Sequence, residues 1–242
     1  MGPDSGTARG WFRVGSRVVS GRLNASFGTG QVIELGTDGE LGGGPEDGID
    51  VGVHDWAVVQ RYTGATTFFD LMSTIGGPVG VGVIAALVAI ALLITKRFRW
   101  TIYLLLNVGI GGGIDMELKR YFARARPAVA QQLMHATGYS FPSGHAMGST
   151  VLFATLSYLA IRILPRWRWK SAALALCTTL IVSVALSRVY LGVHWISDVG
   201  AGIVAGLLWV TMTTVAYETF RRIRLIRKLR VQAAAHEYPR SS

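Results

Sequence analysis

The chain has 242 residues, half of them hydrophobic and 16% charged, with 24 Lys and Arg against 14 Asp and Glu for a net charge of +10. That length fits one domain, and the mean hydropathy of +0.39 is high for a soluble one. The basic residues cluster beside apolar runs, so the charge points to anionic membrane lipids rather than nucleic acid. The single cysteine, Cys177, excludes an intrachain disulfide and any cysteine-built metal site. No cofactor or metal is expected, and the oligomeric state is left open.

Residues 1–55 are polar and glycine-rich. No secretory signal is expected, because the first 30 residues lack an apolar core of the needed length. Arg9, Arg13 and Arg17 recur every four residues, with Trp11, Val14 and Val18 on another face. Residues 9–23 therefore read as a short amphipathic helix on a membrane surface, or as a basic tail. Residues 34–55 hold seven acidic residues, no Lys or Arg, and a Gly42-Gly43-Gly44-Pro45 break, and read as a linker. Residues 55–77 suggest one or two short interfacial helices.

Five apolar runs follow, at about 78–95, 100–118, 145–164, 171–190 and 197–219. A bilayer core takes roughly 20 helical residues. The expected fold is all-α, a polytopic membrane helix bundle with about five transmembrane helices, six being possible, and short interfacial helices. The domain division is a polar segment over 1–55, an embedded region over 56–220 and a basic tail over 221–242. Small residues in the second run (Gly109, Gly111 to Gly113) and the fifth (Gly200, Gly202, Ala205, Gly206) mark close helix approaches.

Lys96, Arg97 and Arg99 lie between the first two runs, and Arg162, Arg166, Arg168 and Lys170 between the third and fourth. Six of the ten residues 221–230 are Lys or Arg. With five spans all three clusters fall on one face, the cytoplasmic one by the positive-inside rule. Residues 221–230 alternate with Ile223, Leu225, Ile226 and Leu229 and read as an interfacial helix. Trp100, Trp167, Trp169 and Trp195 sit near span ends, as an aromatic belt would.

Three polar islands fall at the opposite ends of the runs. Lys119 and Arg126-Pro127 are seven residues apart, about two turns if the helix continues, so both cations would point one way. An ammonium and a guanidinium fork suit a tetrahedral dianion, although a juxtamembrane basic anchor would also carry such residues. Asp115, four residues before Lys119, reads as a helix-end salt bridge. Pro142-Ser143-Gly144-His145 opens the third run, where unpaired helix amides make an anion site. An ordinary helix start explains Pro142 and Ser143 but not the histidine. Arg188, His194 and Asp198 close the set. In a helix His194 and Asp198 share a face, so the carboxylate could hold one imidazole nitrogen and leave the other free. Residues 128–141 read as a surface loop, and His54, His135 and His236 as surface histidines.

In order and in internal spacing the islands resemble the three signature motifs of the type 2 phosphatidic acid phosphatase superfamily. These are integral-membrane lipid phosphatases related to vanadium haloperoxidases. The resemblance covers Lys119 to Asp198. It implies His194 as nucleophile, Asp198 as its activating acid and His145 as proton donor. Lys119, Arg126, Ser143, Gly144 and Arg188 would bind phosphate, without a metal. The chain departs from the common six-span bacterial pattern in that the usual first span is missing or replaced by the polar residues 1–55.

The expected function is hydrolysis of a terminal phosphate on an amphiphile at the extracytoplasmic face of the plasma membrane. Candidate substrates are phosphatidic acid, phosphatidylglycerol phosphate, and polyprenyl phosphate or diphosphate. The alternative is a non-catalytic transporter or phospholipid-binding scaffold. It is disfavoured because the polar residues gather at one face instead of lining a path.

Overall fold

The computed structural model describes the backbone of residues 7–14, 17–24, 45–127 and 131–237, and the side chains of residues 48–127, 131–230 and 232. The chain divides into two compact units, Met1–Pro45 and Glu46–Ser242.

In the first unit, strands β1 (Thr7–Val14) and β2 (Arg17–Asn24) pair antiparallel, with Val14 opposite Arg17 and Thr7 opposite Asn24. The amphipathic helix expected over 9–23 is therefore incorrect. The run Trp11-Phe12-Arg13-Val14 and the pair Val18-Val19 are aromatic and β-branched, and Gly15-Ser16 separates them. That composition favours a hairpin over a helix, and the four-residue arginine spacing was coincidental.

The second unit is all-helical among its described residues, as expected. The helices are α1 (Pro45–Val59), α2 (Thr63–Gly76), α3 (Pro78–Ile94), α4 (Phe98–Phe122), α5 (Gly144–Ile163), α6 (Trp167–Tyr190) and α7 (Ile196–Glu237). Residues 45–55, expected as linker, are instead the first three turns of α1. Pro45 is tolerated in a first turn, where the missing N–H costs nothing. The rest of that stretch, residues 34–44, lies outside the described residues.

Three helices, α5, α6 and α7, are each long and apolar enough to cross a bilayer, and α2 with α3, bent by 58° between them, meet the test together. The helix α3 is only 17 residues long, and α4 carries Asp115, Glu117, Lys119 and Arg120 in its last turns. Outward positions of α3 such as Val79, Leu87 and Ile94 are exposed. Exposed aliphatic faces of this kind belong against lipid, and the chain is a membrane protein.

The helix α5 is the hub, packed against α4, α6 and α7. Residues from Ala146 through Leu159 bury inward along it, including Met147, Leu152 and Phe153. This helix approaches α7 closely. A β-carbon on Gly202 would lie 2.7 Å from the Ser143 carbonyl oxygen, and one on Gly206 would lie 2.9 Å from Thr150 Cβ. Of the fifth-run glycines these two make the contact, while Gly200 faces open space; Ala205 packs beside them against Met147 and Val151. Of the α4 glycines only Gly111 meets neighbouring helices, against Val151 and Trp209.

Opposite ends of these helices differ in chemistry. At one end Trp100 stacks among Tyr103, Tyr158 and Tyr217, and Arg162 pairs with Glu218 at 3.3 Å. The basic clusters expected on one face border this end. The three islands lie at the other ends of α4, α5, α6 and α7. Finally, α7 runs unbroken through residues 221–230, so the expected interfacial helix is a direct extension of the last span.

Candidate active site

Each island is delivered by a helix end. Ala123, in the left-handed region at φ 46°, stops α4 and donates its N–H to the Lys119 carbonyl at 3.0 Å. Arg126 therefore lies beyond the helix, and the shared helical face expected for Lys119 and Arg126 does not exist. Both reach the same end of the bundle by different routes. Lys119 Nζ stays on α4 and donates to both Asp115 carboxylate oxygens at 2.7 Å and to the Pro142 carbonyl at 2.9 Å. Arg126 is fixed by the 137–139 loop, donating to the carbonyls of Thr137, Gly138 and Tyr139, and to that of Val193 at 2.8 Å.

Ser143 stands at the N-cap of α5 but its hydroxyl caps nothing. The Oγ is buried without a partner, while the backbone N–H donates to the Asp198 carbonyl at 3.0 Å. Gly144 follows at the amide-bearing end, and a β-carbon there would lie 2.7 Å from Asp115 Oδ2 and 2.9 Å from Lys119 Nζ. A glycine here lets the Lys119–Asp115 ion pair come up against the helix terminus. His145 turns Nε2 toward Gly77, 3.3 Å from where a β-carbon there would sit. It lies within electrostatic reach of Arg188, His194, Lys119 and Arg126. Arg188, in the last turn of α6, is buried; it donates Nη1 to Ser73 Oγ and leaves Nε unpartnered. A buried unpartnered donor costs about 1–3 kcal/mol. Two such donors, on Ser143 and Arg188, lie at this end of the bundle, where an acceptor-rich ligand would satisfy them; unpartnered buried hydroxyls also occur along the helices, at Thr101 and Thr155.

The chain reverses between α6 and α7 at Gly192, whose φ of +73° favours glycine and whose β-carbon would lie 2.6 Å from Arg61 Nη2 and the Gln131 carbonyl. This turn sets His194. His194 precedes α7 rather than lying on it, a difference from the sequence expectation. Asp198 occupies the first turn of α7 and reaches back to the Trp195 N–H at 3.0 Å, half of a capping box. The same reach brings Oδ2 to His194 Nδ1 at 3.4 Å. Ser140 Oγ bridges the pair, donating to Asp198 Oδ2 and lying 3.3 Å from His194 Nδ1.

The opposite ring nitrogen, His194 Nε2, lies 3.0 Å from Arg126 Nη1. An arginine nitrogen only donates, so Nε2 carries the lone pair and Nδ1 the proton that faces Asp198. Burial pushes the His194 imidazole down to about 4; Asp198 opposes this and the Arg126 and Arg188 charges reinforce it. A buried neutral imidazole with an oriented Nδ1–H and cations around it can act as a nucleophile on an anionic phosphoryl group that takes over the Arg126 N–H from Nε2.

The eight residues singled out from sequence thus gather at one end of the bundle. Four further residues join them. Arg124 donates to Asp198 Oδ1 at 2.8 Å and to Asp50 Oδ2 at 2.7 Å, and Ser140 and Ser73 contact Asp198 and Arg188 as described. Ser140 falls in the loop expected at the surface, yet it is fully buried. His54, expected at the surface, is also buried and meets Gln131 Oε1 at 2.8 Å. Arg124, two residues before Arg126, reads in the sequence only as part of a juxtamembrane basic anchor, so its pairing with Asp198 was not legible. Asp50 gave no signal.

Comparison with known proteins follows the same lines. The family described as the PAP2 superfamily matches residues 100–222. Phosphatidylglycerophosphatase B of Bacillus subtilis is 33% identical over 130 residues, 53% of this chain and 64% of that protein. An undecaprenyl-diphosphatase of Sulfolobus acidocaldarius is 36% identical over 93 residues, 38% of this chain and 40% of that protein. The matches thus span less than two thirds of these curated relatives. Among solved structures, a PAP2-type phosphatidylglycerolphosphate phosphatase from Bacillus subtilis superposes with a TM-score of 0.67 at 26% identity, covering 70% of this chain and 85% of the other. LpxE of Aquifex aeolicus superposes at 0.56 with 20% identity over 68% of this chain and 94% of the other, a likeness of fold.

Proposed function

The chain belongs to the PAP2 superfamily, and from that premise we propose that it is a membrane-embedded lipid phosphatase working through a phosphohistidine at the extracytoplasmic face. The observation that carries the reading is His194: its Nε2 lone pair sits beside Arg126 while Nδ1 is held toward Asp198.

In the proposed reaction Nε2 attacks phosphorus and the bond to the lipid oxygen breaks. His145 protonates that leaving oxygen. His145 then takes a proton from water, the water oxygen attacks phosphorus, and the phosphorus–nitrogen bond breaks to return the lone pair to Nε2. Lys119, Arg126, Arg188, the Ser143 hydroxyl and the Gly144 amide hold the phosphoryl oxygens, where fixed donors stabilise the charge of the transition state. The side chains supply both proton transfer and charge, so no metal is invoked.

The substrate class is an amphiphile whose tail stays in lipid while its phosphate enters at the helix ends. Relatives named for phosphatidylglycerol phosphate, undecaprenyl diphosphate and lipid A 1-phosphate define the panel.

The test is phosphate release from that panel, plus phosphatidic acid, by detergent-purified protein in excess chelator. Turnover of at least one lipid phosphate is expected, with His194→Ala reducing it at least ~10³-fold. Turnover that survives His194→Ala, or that requires added metal, would sink the mechanism. No turnover of any panel member would sink the activity.

A further inference from the structure

The phosphohistidine reading leaves one buried arrangement without a role. Asp50 on α1 is 2% exposed and Asp198 on α7 is fully buried. Two carboxylates of like charge in such a place require a shared cation. Arg124 is that cation, forked between Asp198 Oδ1 at 2.8 Å and Asp50 Oδ2 at 2.7 Å, its guanidinium 5.9 Å from the centre of the Trp195 ring. Asp50 also accepts the Ser197 N–H at 2.9 Å and the Ser197 hydroxyl at 2.6 Å. It thereby supplies the N-terminal cap of α7 that Trp195, with no side-chain oxygen, cannot.

We propose that Asp50 and Arg124 are positioning residues that set both the orientation and the effective charge of Asp198, so that α1 is part of the active site. The inference rests on the phosphohistidine reading, and Asp50 lies outside residues 100–222 that match the family.

Orientation follows from the division of the Asp198 oxygens. Arg124 holds Oδ1, which leaves Oδ2 for His194 Nδ1, Ser140 and the Trp195 N–H. A carboxylate free to rotate would lose that alignment, and with it the aim of Nε2. Charge follows from counting. Two carboxylates and one guanidinium sum to −1, so Asp198 faces His194 undiminished although an arginine touches it. With Asp50 neutral the cluster sums to zero, with Arg124 neutral to −2, and with both neutral to −1 again.

This arithmetic separates positioning from a mere tie between α1 and α7. The other groups acting on His194 are Arg126 from the loop after α4, Arg188 on α6 and His145 on α5. They stay the same in every variant. The His194 titration should therefore rise in Arg124→Gln by about one pH unit, fall in Asp50→Asn, and return close to the starting value in the double variant.

The experiment follows His194 by its ring ¹⁵N resonances in detergent-solubilised full-length protein labelled at histidine, with kcat and KM for a lipid phosphate measured in parallel. In Arg124→Gln kcat should drop by about 100-fold with KM within about threefold, and adding Asp50→Asn should recover part of it. Glu117→Gln, at an exposed pair with Arg120, is the control that should change neither readout.

A folded Arg124→Gln whose His194 titration does not rise, or a double variant that does not bring it back, overturns the proposal. If Arg124→Gln does not fold, Asp50→Asn carries the test: kcat should fall about tenfold at unchanged KM, and an unchanged kcat overturns the proposal. The ¹⁵N readout needs no turnover. Failure of the phosphatase reading would appear as an inactive wild type, whereas failure of the positioning proposal would appear as an active enzyme with unmoved resonances.

Discussion

His194 is held at about 4, far below an ordinary imidazole, so it is neutral through the physiological range. Protonation blocks Nε2, so attack requires pH above that value. The acid limb of kcat/KM should therefore break near pH 4 rather than near 6.5, and a limb at 6.5 would show that His194 is solvated during binding. Lys119 has a different constraint. Its three N–H groups all go to Asp115 and Pro142, and Asp115 borders the open end of α5 at Gly144. Phosphate must displace at least one of these contacts. Asp115→Asn weakens the competitor while keeping its shape, so inhibition by inorganic phosphate or orthovanadate should tighten by about three- to tenfold. Looser binding in that variant would mean that Asp115 holds Lys119 in place for the ligand.

At the scale of elements, the decisive contact is α5 against α7. A methyl group on Gly202 would strike the Ser143 carbonyl, which belongs to the residue that opens the proposed phosphate cradle. Gly202→Ala should thus reduce activity at least ~10-fold, because a misplacement of about 1 Å in such a site can cost two orders of magnitude. Gly200→Ala, in open space, should leave it intact; equal effects would show that the approach does not matter. The helices of this region were legible because each apolar run is bounded by a proline, a glycine or a charge: Pro78 opens α3, Pro142 and Gly144 flank the start of α5, and Gly192 follows α6. The convergence of the islands was legible for the same reason, since antiparallel spans return every second junction to one end. Less was legible where contacts are non-local. The hairpin in the first unit was missed because arginine spacing mimicked a helical period. Asp50 was missed because its partners, Arg124 and Ser197, lie 74 and 147 residues away in sequence. Ser140 was missed because a polar residue between two motifs looks like surface until its neighbours are known.

For the whole molecule, the separation of chemistry along the helix axes bears on where the reaction occurs. Trp100, Arg162 and Glu218 gather at one end, close to the basic junctions, and the candidate site lies at the other. The inner leaflet is anionic and retains Lys and Arg on its side. We therefore expect the site to face outward, which requires a substrate presented in the outer leaflet. Impermeant maleimide labelling tests this directly in a Cys177→Ser background, which removes the chain's single thiol. Tyr139, exposed beside the candidate site, and Trp169, exposed in the α5–α6 basic segment, are suitable positions for single cysteines. Tyr139→Cys should label in intact cells and Trp169→Cys only after permeabilisation. The reverse pattern would place the chemistry in the cytoplasm, where the lipid phosphates available to it would be those of the inner leaflet, and the positive-inside argument would fail for this chain.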